Sequence, residues 1–336
     1  MDGKALIKTQ EYEFLWNDSR LGDNLILLTF GGSYSYGTNI ETSDIDIRGC
    51  TLNRPSDLIG LTQFEQMVHD TTDTVVYAFN KLIQLLLNCN PNTIEMLGCK
   101  PEHYLYLTDI GRDLLANRTL FLSQKAVYSF GGYATQQLRR LENALAHDAY
   151  EGEQKEQHIM NACNRAMDTF PVRYRAFQPE QIRLYLQEVD DSPEIYADVH
   201  MSGIPIRNFS GMLNELIQIT RDYDKLNHRN KKKDDAHLNK HAMHLVRLYF
   251  VCLDILEKGD IITYREQERE LLLSIRNGAF QKPDHTYRTE FFELISELEQ
   301  RMDYAQKNTC LPEKPDIKRI EEFVMEVNRR VILHDT

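Results

Sequence analysis

The sequence predicts an α+β protein: a front of strands and helices ending near residue 100, then a mainly helical rear. Three observations carry that reading. A continuous run, LILLTF at 25–30, stops at Gly31-Gly32. A strictly alternating segment, DIDIR at 44–48, follows soon after. Beyond residue 100 most apolar residues recur at helical spacing. The domains expected are 1–105 and 106–336, the second with a small β insertion near 181–206.

The elements follow in order. An unbroken run such as 25–30 suits a buried strand or a piece of helix, and the glycine pair decides for the strand. A short helix is expected to begin near Ser33. In 44–48, Ile45 and Ile47 face one way, while Asp44, Asp46 and Arg48 face the other. Residues 64–70, FEQMVHD, read as a further strand. From 75 to 88 the spacing of Val76, Phe79, Leu82, Ile83 and Leu86 turns helical. NPNTIEML at 90–97 reads as a loop, an Asn cap and a short helix, and nothing there, Glu95 included, calls for catalysis. Helices are expected at 109–118, 123–147 (interrupted by Gly131-Gly132), 155–169, 209–225, 236–257, 266–276, 287–306 and 316–331. Two alternating stretches within 181–206 suggest a hairpin. RNKKKDD at 229–235, with Lys231–Lys233, reads as a solvated basic loop.

Composition excludes several classes. Among 336 residues, 42% are hydrophobic and 27% charged, which fits a folded chain and not a disordered one. No apolar run reaches membrane-spanning length; the longest, around Leu82–Leu87, is broken by Gln84. The first residues lack the apolar core of a signal peptide. Six cysteines without a close CxxC pair argue against a zinc site or a disulfide framework, so reduced thiols and a cytoplasmic location are expected. The net charge of −12 disfavours coating long duplex nucleic acid. It leaves room for a local basic groove that takes one RNA end or one triphosphate.

The chemistry concentrates in GGSYSYGTNIETSDIDIRG, residues 31–49. Acids at alternate strand positions point the same way and repel, which raises one pKa unless a cation separates them. Mg²⁺ prefers such hard oxygen ligands together with substrate phosphates. The preceding loop offers glycines, hydroxyls and free backbone N–H groups. This yields a metal–triphosphate clamp: Asp44 and Asp46 hold Mg²⁺ or Mn²⁺, and Gly32 and Ser33 hold the β- and γ-phosphates of an NTP. Arg48 shares the acids' face and either contacts phosphate or neutralises the acids when the site is empty.

The run Gly32-Ser33, Gly37-Thr38, Ser43-Asp44-Ile45-Asp46 resembles the Gly-Ser…Asp-x-Asp signature of the DNA polymerase β-type nucleotidyltransferase superfamily. The likeness extends through YAFNKLIQLLLNCNPNTIEMLG, FGGYATQQLRRL, KHAMHLVRLYFVCLDILEKGDI and LLLSIRNG, from residue 31 to 278. These segments are similar to a bacterial and phage branch that includes RNA-ligase-associated polymerases. The resemblance implies a palm-like mixed sheet with flanking helices and a helical domain that completes the nucleotide and acceptor cleft. It implies transfer of a nucleoside monophosphate from an NTP to a hydroxyl, with an RNA 3′ end as acceptor in repair or tailing. AMP-type transfer to a protein or small molecule, and a catalytically inactive nucleotide-binding regulatory module, are the alternatives. It adds Gly37, Thr38 and Ser43 to the nucleotide site. It also implies a third catalytic, metal-binding carboxylate, which is Asp73 just before VVY or, alternatively, Asp70.

Outside that stretch, Lys240, His244 and Arg247 share one helical face at 240–247. By spacing alone they form a solvated basic stripe; the resemblance turns them towards the nucleotide. Arg276 either reaches phosphate or ends its helix as a cation. His241 with His244 is a poor metal pair without a third ligand. Lys81 reads as a surface lysine. Gly131-Gly132 reads as close helix packing or a kink, with Tyr133 stacking on a base as the lesser reading.

Overall fold

The computed structural model describes residues 3–149, 152–174, 176–189, 192–228, 235–283 and 285–334. The loop Lys231–Lys233 lies outside them. The chain divides into two compact units, one of residues 1–135, 242–280 and 287–336, the other of 136–241 and 281–286.

The first unit is built on a five-stranded sheet in the order β3-β4-β2-β1-β5. Its strands are β1 (Leu25–Phe30), β2 (Ile47–Thr51), β3 (Gln66–His69), β4 (Thr74–Ala78) and β5 (Tyr104–Leu107). The sheet is mixed: β1 runs antiparallel to β2 and β5, β2 parallel to β4, and β3 antiparallel to β4. Every residue of β1 is buried, which is why its sequence does not alternate. Leu25, Leu28, Ile47 and Val76 join Ile7, Tyr12, Leu15 and Leu21 from the N-terminal turns in one core. Each such side chain contributes about 1.5–3 kcal/mol by leaving water.

Three elements differ from the sequence reading. The strand expected at 44–48 begins at Ile47. Residues 44–45 have no strand beside them, because β1 gives way to Gly31 and a helix just where they would pair. Residues 74–78 form β4 before the helix Phe79–Leu86 starts. Their β-branched and aromatic side chains fill a strand flanked on both sides, and that tertiary pairing overrides the helical spacing of Val76 with Phe79. The edge strand β5 had no sequence counterpart, being four residues long with only Leu105 buried.

The helix Lys125–Ala149 runs unbroken through Gly131-Gly132. A Cβ on Gly131 would sit an ordinary 3.6 Å from Met302, and one on Gly132 would meet nothing within 4 Å, so neither glycine serves close packing. Further helices cover Asp109–Ala116, Arg269–Arg276, Thr289–Asn308 and Ile317–Leu333.

The second unit contains a hairpin of β6 (Ile182–Val189) and β7 (Ser192–Val199), antiparallel with Tyr185 opposite Tyr196. Leu184 and Ile195 pack with Ile159, Cys163 and Ile219 from the helices Glu153–Asp168 and Ile206–His228. The fold is thus α+β with a mixed N-terminal sheet and a mainly helical remainder. No helix among the described residues is long and apolar enough to cross a membrane. All six cysteines are free.

Candidate active site

Local geometry begins with the glycines after β1. Gly31 is extended, and the five-residue helix Gly32–Tyr36 follows, closed by Gly37 at φ +75°. Gly32 itself has φ +52°, where L side chains are strained. A Cβ on Gly32 would lie 1.7 Å from Oδ2 of Asp46, and one on Gly31 would lie 2.9 Å from Cγ of Arg48. The glycine pair therefore makes room for the side chains that lead into β2.

The acids sit just beyond the end of the sheet. The Gly31 N–H donates to the Asp46 carbonyl at 2.8 Å, adding one rung to the β1–β2 ladder. In the parallel pair, Ile47 is opposite Thr74, so the preceding residues, Asp46 and Asp73, stand side by side. Asp73 takes a left-handed conformation, φ 43°, as its chain turns into β4. Arg48 joins the two acids. Its Nη2 lies 3.6 Å from Asp46 and 3.2 Å from Asp73, while Nη1 donates to the carbonyls of Asp73 at 2.6 Å and Ile47 at 2.9 Å. Asp44 is exposed, and its carboxylate makes no hydrogen bond or ion pair among the described residues. Asp70 is also exposed, on the short turn Asp70–Thr72, and only its carbonyl meets Asp73, accepting that residue's N–H at 3.3 Å.

The candidate donor set of Asp44, Asp46 and Asp73 is hard, offering carboxylate oxygens. Such oxygens suit Mg²⁺ or Mn²⁺ over softer metals. Among the described residues, however, no three acidic, His or Cys side chains are gathered closely enough to hold an ion. The Arg48 guanidinium is paired with both Asp46 and Asp73.

The basic residues placed in the nucleotide site behave differently from one another. Arg247 is a correction. It is 5% exposed, ion-paired with buried Glu95, and its guanidinium carbon lies 3.7 Å from the centre of the Tyr36 ring. Burial is the largest influence on Arg247 and would lower its pKa; the charge of Glu95, the Tyr36 phenol and the hydrogen bond to Glu95 together outweigh it and raise the pKa. Tyr36 donates to the other oxygen of Glu95 at 2.8 Å, and burial holds its phenol well above the ordinary range. This is a core ion pair, and a nucleotide would have to break it to reach the guanidinium. His244 meets the edge of Tyr36, with ring centres 6.1 Å apart. Lys240 is exposed and belongs to the second unit. His241, in that unit, bonds Gln137 at 3.0 Å. Lys81 pairs with Glu65 at 2.8 Å.

The segment after the short helix is fastened from far along the chain. Arg276 donates to the Thr38 carbonyl at 2.5 Å and to the Ser43 hydroxyl at 3.2 Å. Arg269, on the same helix, donates to the Gly37 carbonyl at 2.8 Å. Ser43 also accepts the Ile40 N–H at 2.9 Å. Arg276 thus acts on the loop that carries Gly37, Thr38 and Ser43. Thr38 is fully buried, and its hydroxyl has no hydrogen-bond partner among the described residues. Ser33 is 7% exposed.

A cavity beside the glycines is lined by Gly31, Gly32, Tyr36, Arg48, Glu95 and Cys99, among others. Burial pushes the Cys99 thiol up to about 12, which disfavours the thiolate form. Glu95 was passed over in the sequence. Its signal was a lone acid inside the apolar TIEML, matched by a lone arginine inside the apolar HLVRLYF. Two opposite charges, each stranded in an apolar helix, are expected to find one another. Arg269 had no comparable signal.

Residues 8–326 match the family model of RlaP, described as the RNA repair pathway DNA polymerase beta family. No curated protein and no solved structure matches the chain.

Proposed function

The chain belongs to RlaP, the RNA repair pathway DNA polymerase beta family, and from that premise we propose that it transfers a nucleoside monophosphate from an NTP to an RNA 3′ hydroxyl. The hydroxyl oxygen bonds to the α-phosphorus, the α–β bridging bond breaks, and pyrophosphate leaves. In this reading Asp44 and Asp46 would hold Mg²⁺ or Mn²⁺, and Asp73 would complete the acidic set and receive the hydroxyl proton. A divalent cation bound there supplies positive charge where the reaction builds negative charge. The backbone N–H groups of Gly32 and Ser33 orient the phosphates, since the first N–H groups of a helix have no partner within it. Gly37, Thr38 and Ser43 shape the loop over the nucleotide, and Arg276 keeps that loop in place. Positioning of this kind supplies much of the acceleration in phosphoryl-type transfer.

The observation that supports this most is the register Ile47–Thr74, which sets Asp46 beside Asp73 at the sheet's end, next to Gly31-Gly32. Incubating the protein with labelled NTP, Mg²⁺ and single-stranded RNA tests it. Label is expected on the RNA 3′ end and absent with the Asp44→Asn/Asp46→Asn double variant. Full transfer by that variant removes the assignment. Label on the protein or on a small molecule instead would move the acceptor to that class, and NTP binding without transfer would make the chain a regulatory module.

A further inference from the structure

We propose that Arg48 is a resident cation that holds the space between Asp46 and Asp73 until a divalent ion and a triphosphate arrive together. The inference rests on the reading of Asp44, Asp46 and Asp73 given above and adds an order of events to it. One nitrogen, Nη2, faces both carboxylates, at 3.6 Å and 3.2 Å. Without it, two neighbouring acids at the end of parallel strands would repel. With it, one positive charge shared by the two carboxylates offsets part of their repulsion. The arrangement also bars metal. A magnesium ion brings its oxygen ligands to about 2.0–2.1 Å, which requires the carboxylates to converge on a point the guanidinium now separates.

Arg48 has somewhere to go. Its stem crosses Gly31, where even one added carbon would stand 2.9 Å from Cγ, so the glycine leaves the side chain a clear path. The cavity lined by Gly31, Gly32 and Arg48 opens beside it. Glu95, on that cavity wall, is already engaged by Arg247 and Tyr36, so it offers the arriving guanidinium no vacant carboxylate. The anion best suited to draw Arg48 away is a phosphate, which a planar guanidinium binds through two parallel bonds. Metal alone would have to displace four interactions; metal with triphosphate gives Arg48 a new partner in exchange. Arg48 is therefore a positioning residue, and it couples divalent-ion binding to nucleotide binding.

The test is a Mn²⁺ titration of the whole protein, followed by the electron paramagnetic resonance of the free ion. It is run with and without a nonhydrolysable NTP analogue. Without nucleotide, Arg48→Met, which keeps the stem and drops the charge, is expected to bind Mn²⁺ at least about tenfold tighter than the parent. Arg48→Lys, a point charge that cannot span both acids, is expected in between. Asp73→Asn on either background should remove the gain. With the analogue present, parent and variants should converge. Equal Mn²⁺ affinity of the parent and both variants without nucleotide, in a parent that takes up Mn²⁺ with the analogue, overturns the role of Arg48 and leaves the metal reading standing. A parent that takes up no Mn²⁺ even with the analogue overturns both. Should Arg48→Met fail to fold by circular dichroism, Arg48→Lys alone decides: affinity equal to the parent's counts against the inference.

Discussion

Two arginines in the first unit each neutralise acid, and their surroundings set them apart. Arg247 is sealed in the core: its side chain and that of Glu95 are both 6% exposed, with Tyr36 closing the network. Arg48 lies at the open end of the sheet: its side chain is 22% exposed, and those of Asp46 and Asp73 are 19% and 58% exposed. A buried pair is fixed, because separating it strands a charge in a medium that cannot solvate it. A pair at a sheet's rim can exchange partners, because water and incoming ions share the work of screening. The core pair is a fastening; the rim pair is a place where ions can trade.

Experiments that break this contrast can be ranked by size. Asp46→Asn is expected to lower nucleotidyl transfer by about 10³-fold with little change in melting temperature, read by end-labelling and calorimetry. Glu95→Gln should do the reverse, costing about 3–5 kcal/mol of stability by leaving Arg247 uncompensated, measured by urea unfolding. Adding Arg247→Met to Glu95→Gln should restore part of that loss; a double variant less stable than the single would mean the pair is more than a compensated burial. Gly32→Ala should affect both properties, since its Cβ collides with Asp46 and its φ is strained. A stability loss of more than about 1 kcal/mol is expected, along with transfer well below the parent's. The smallest effect concerns acid. Burial lowers the His103 pKa, so the unfolded chain binds that proton more readily than the folded one. Stability should be full above the ordinary histidine pKa of about 6.5 and fall as pH drops through the lowered folded value. Urea melts at decreasing pH should show a shallower decline for His103→Gln than for the parent.

Much of the site was legible because its logic is local. Gly31-Gly32 and the acids at 44 and 46 lie within one short stretch, and their spacing points to chemistry without a fold; the acid before VVY was implied only by the family resemblance, with Asp70 as its alternative. The partners of Arg276 and Arg269 were not legible, because each bond closes over a long separation that no periodicity records; for Arg247 only the stranded opposite charge of Glu95 gave a hint. Helices were easier to place than strands. Strand β4 was hidden under a helical spacing, and β5 lacked the burial that makes a strand conspicuous. The start of β2 was misplaced by three residues because alternation continues past the point where pairing stops. A pattern shows what a segment tolerates; only its neighbours decide where the ladder ends.

The reach of Arg276 has a temporal side. Its bond to Thr38 joins positions 238 apart in the chain. During synthesis the loop before Asp44 therefore waits, unlatched, until most of the polypeptide has left the ribosome. A chain ending after β5 would already carry the whole sheet and Asp44, Asp46 and Asp73, yet lack the arginine that fastens that loop.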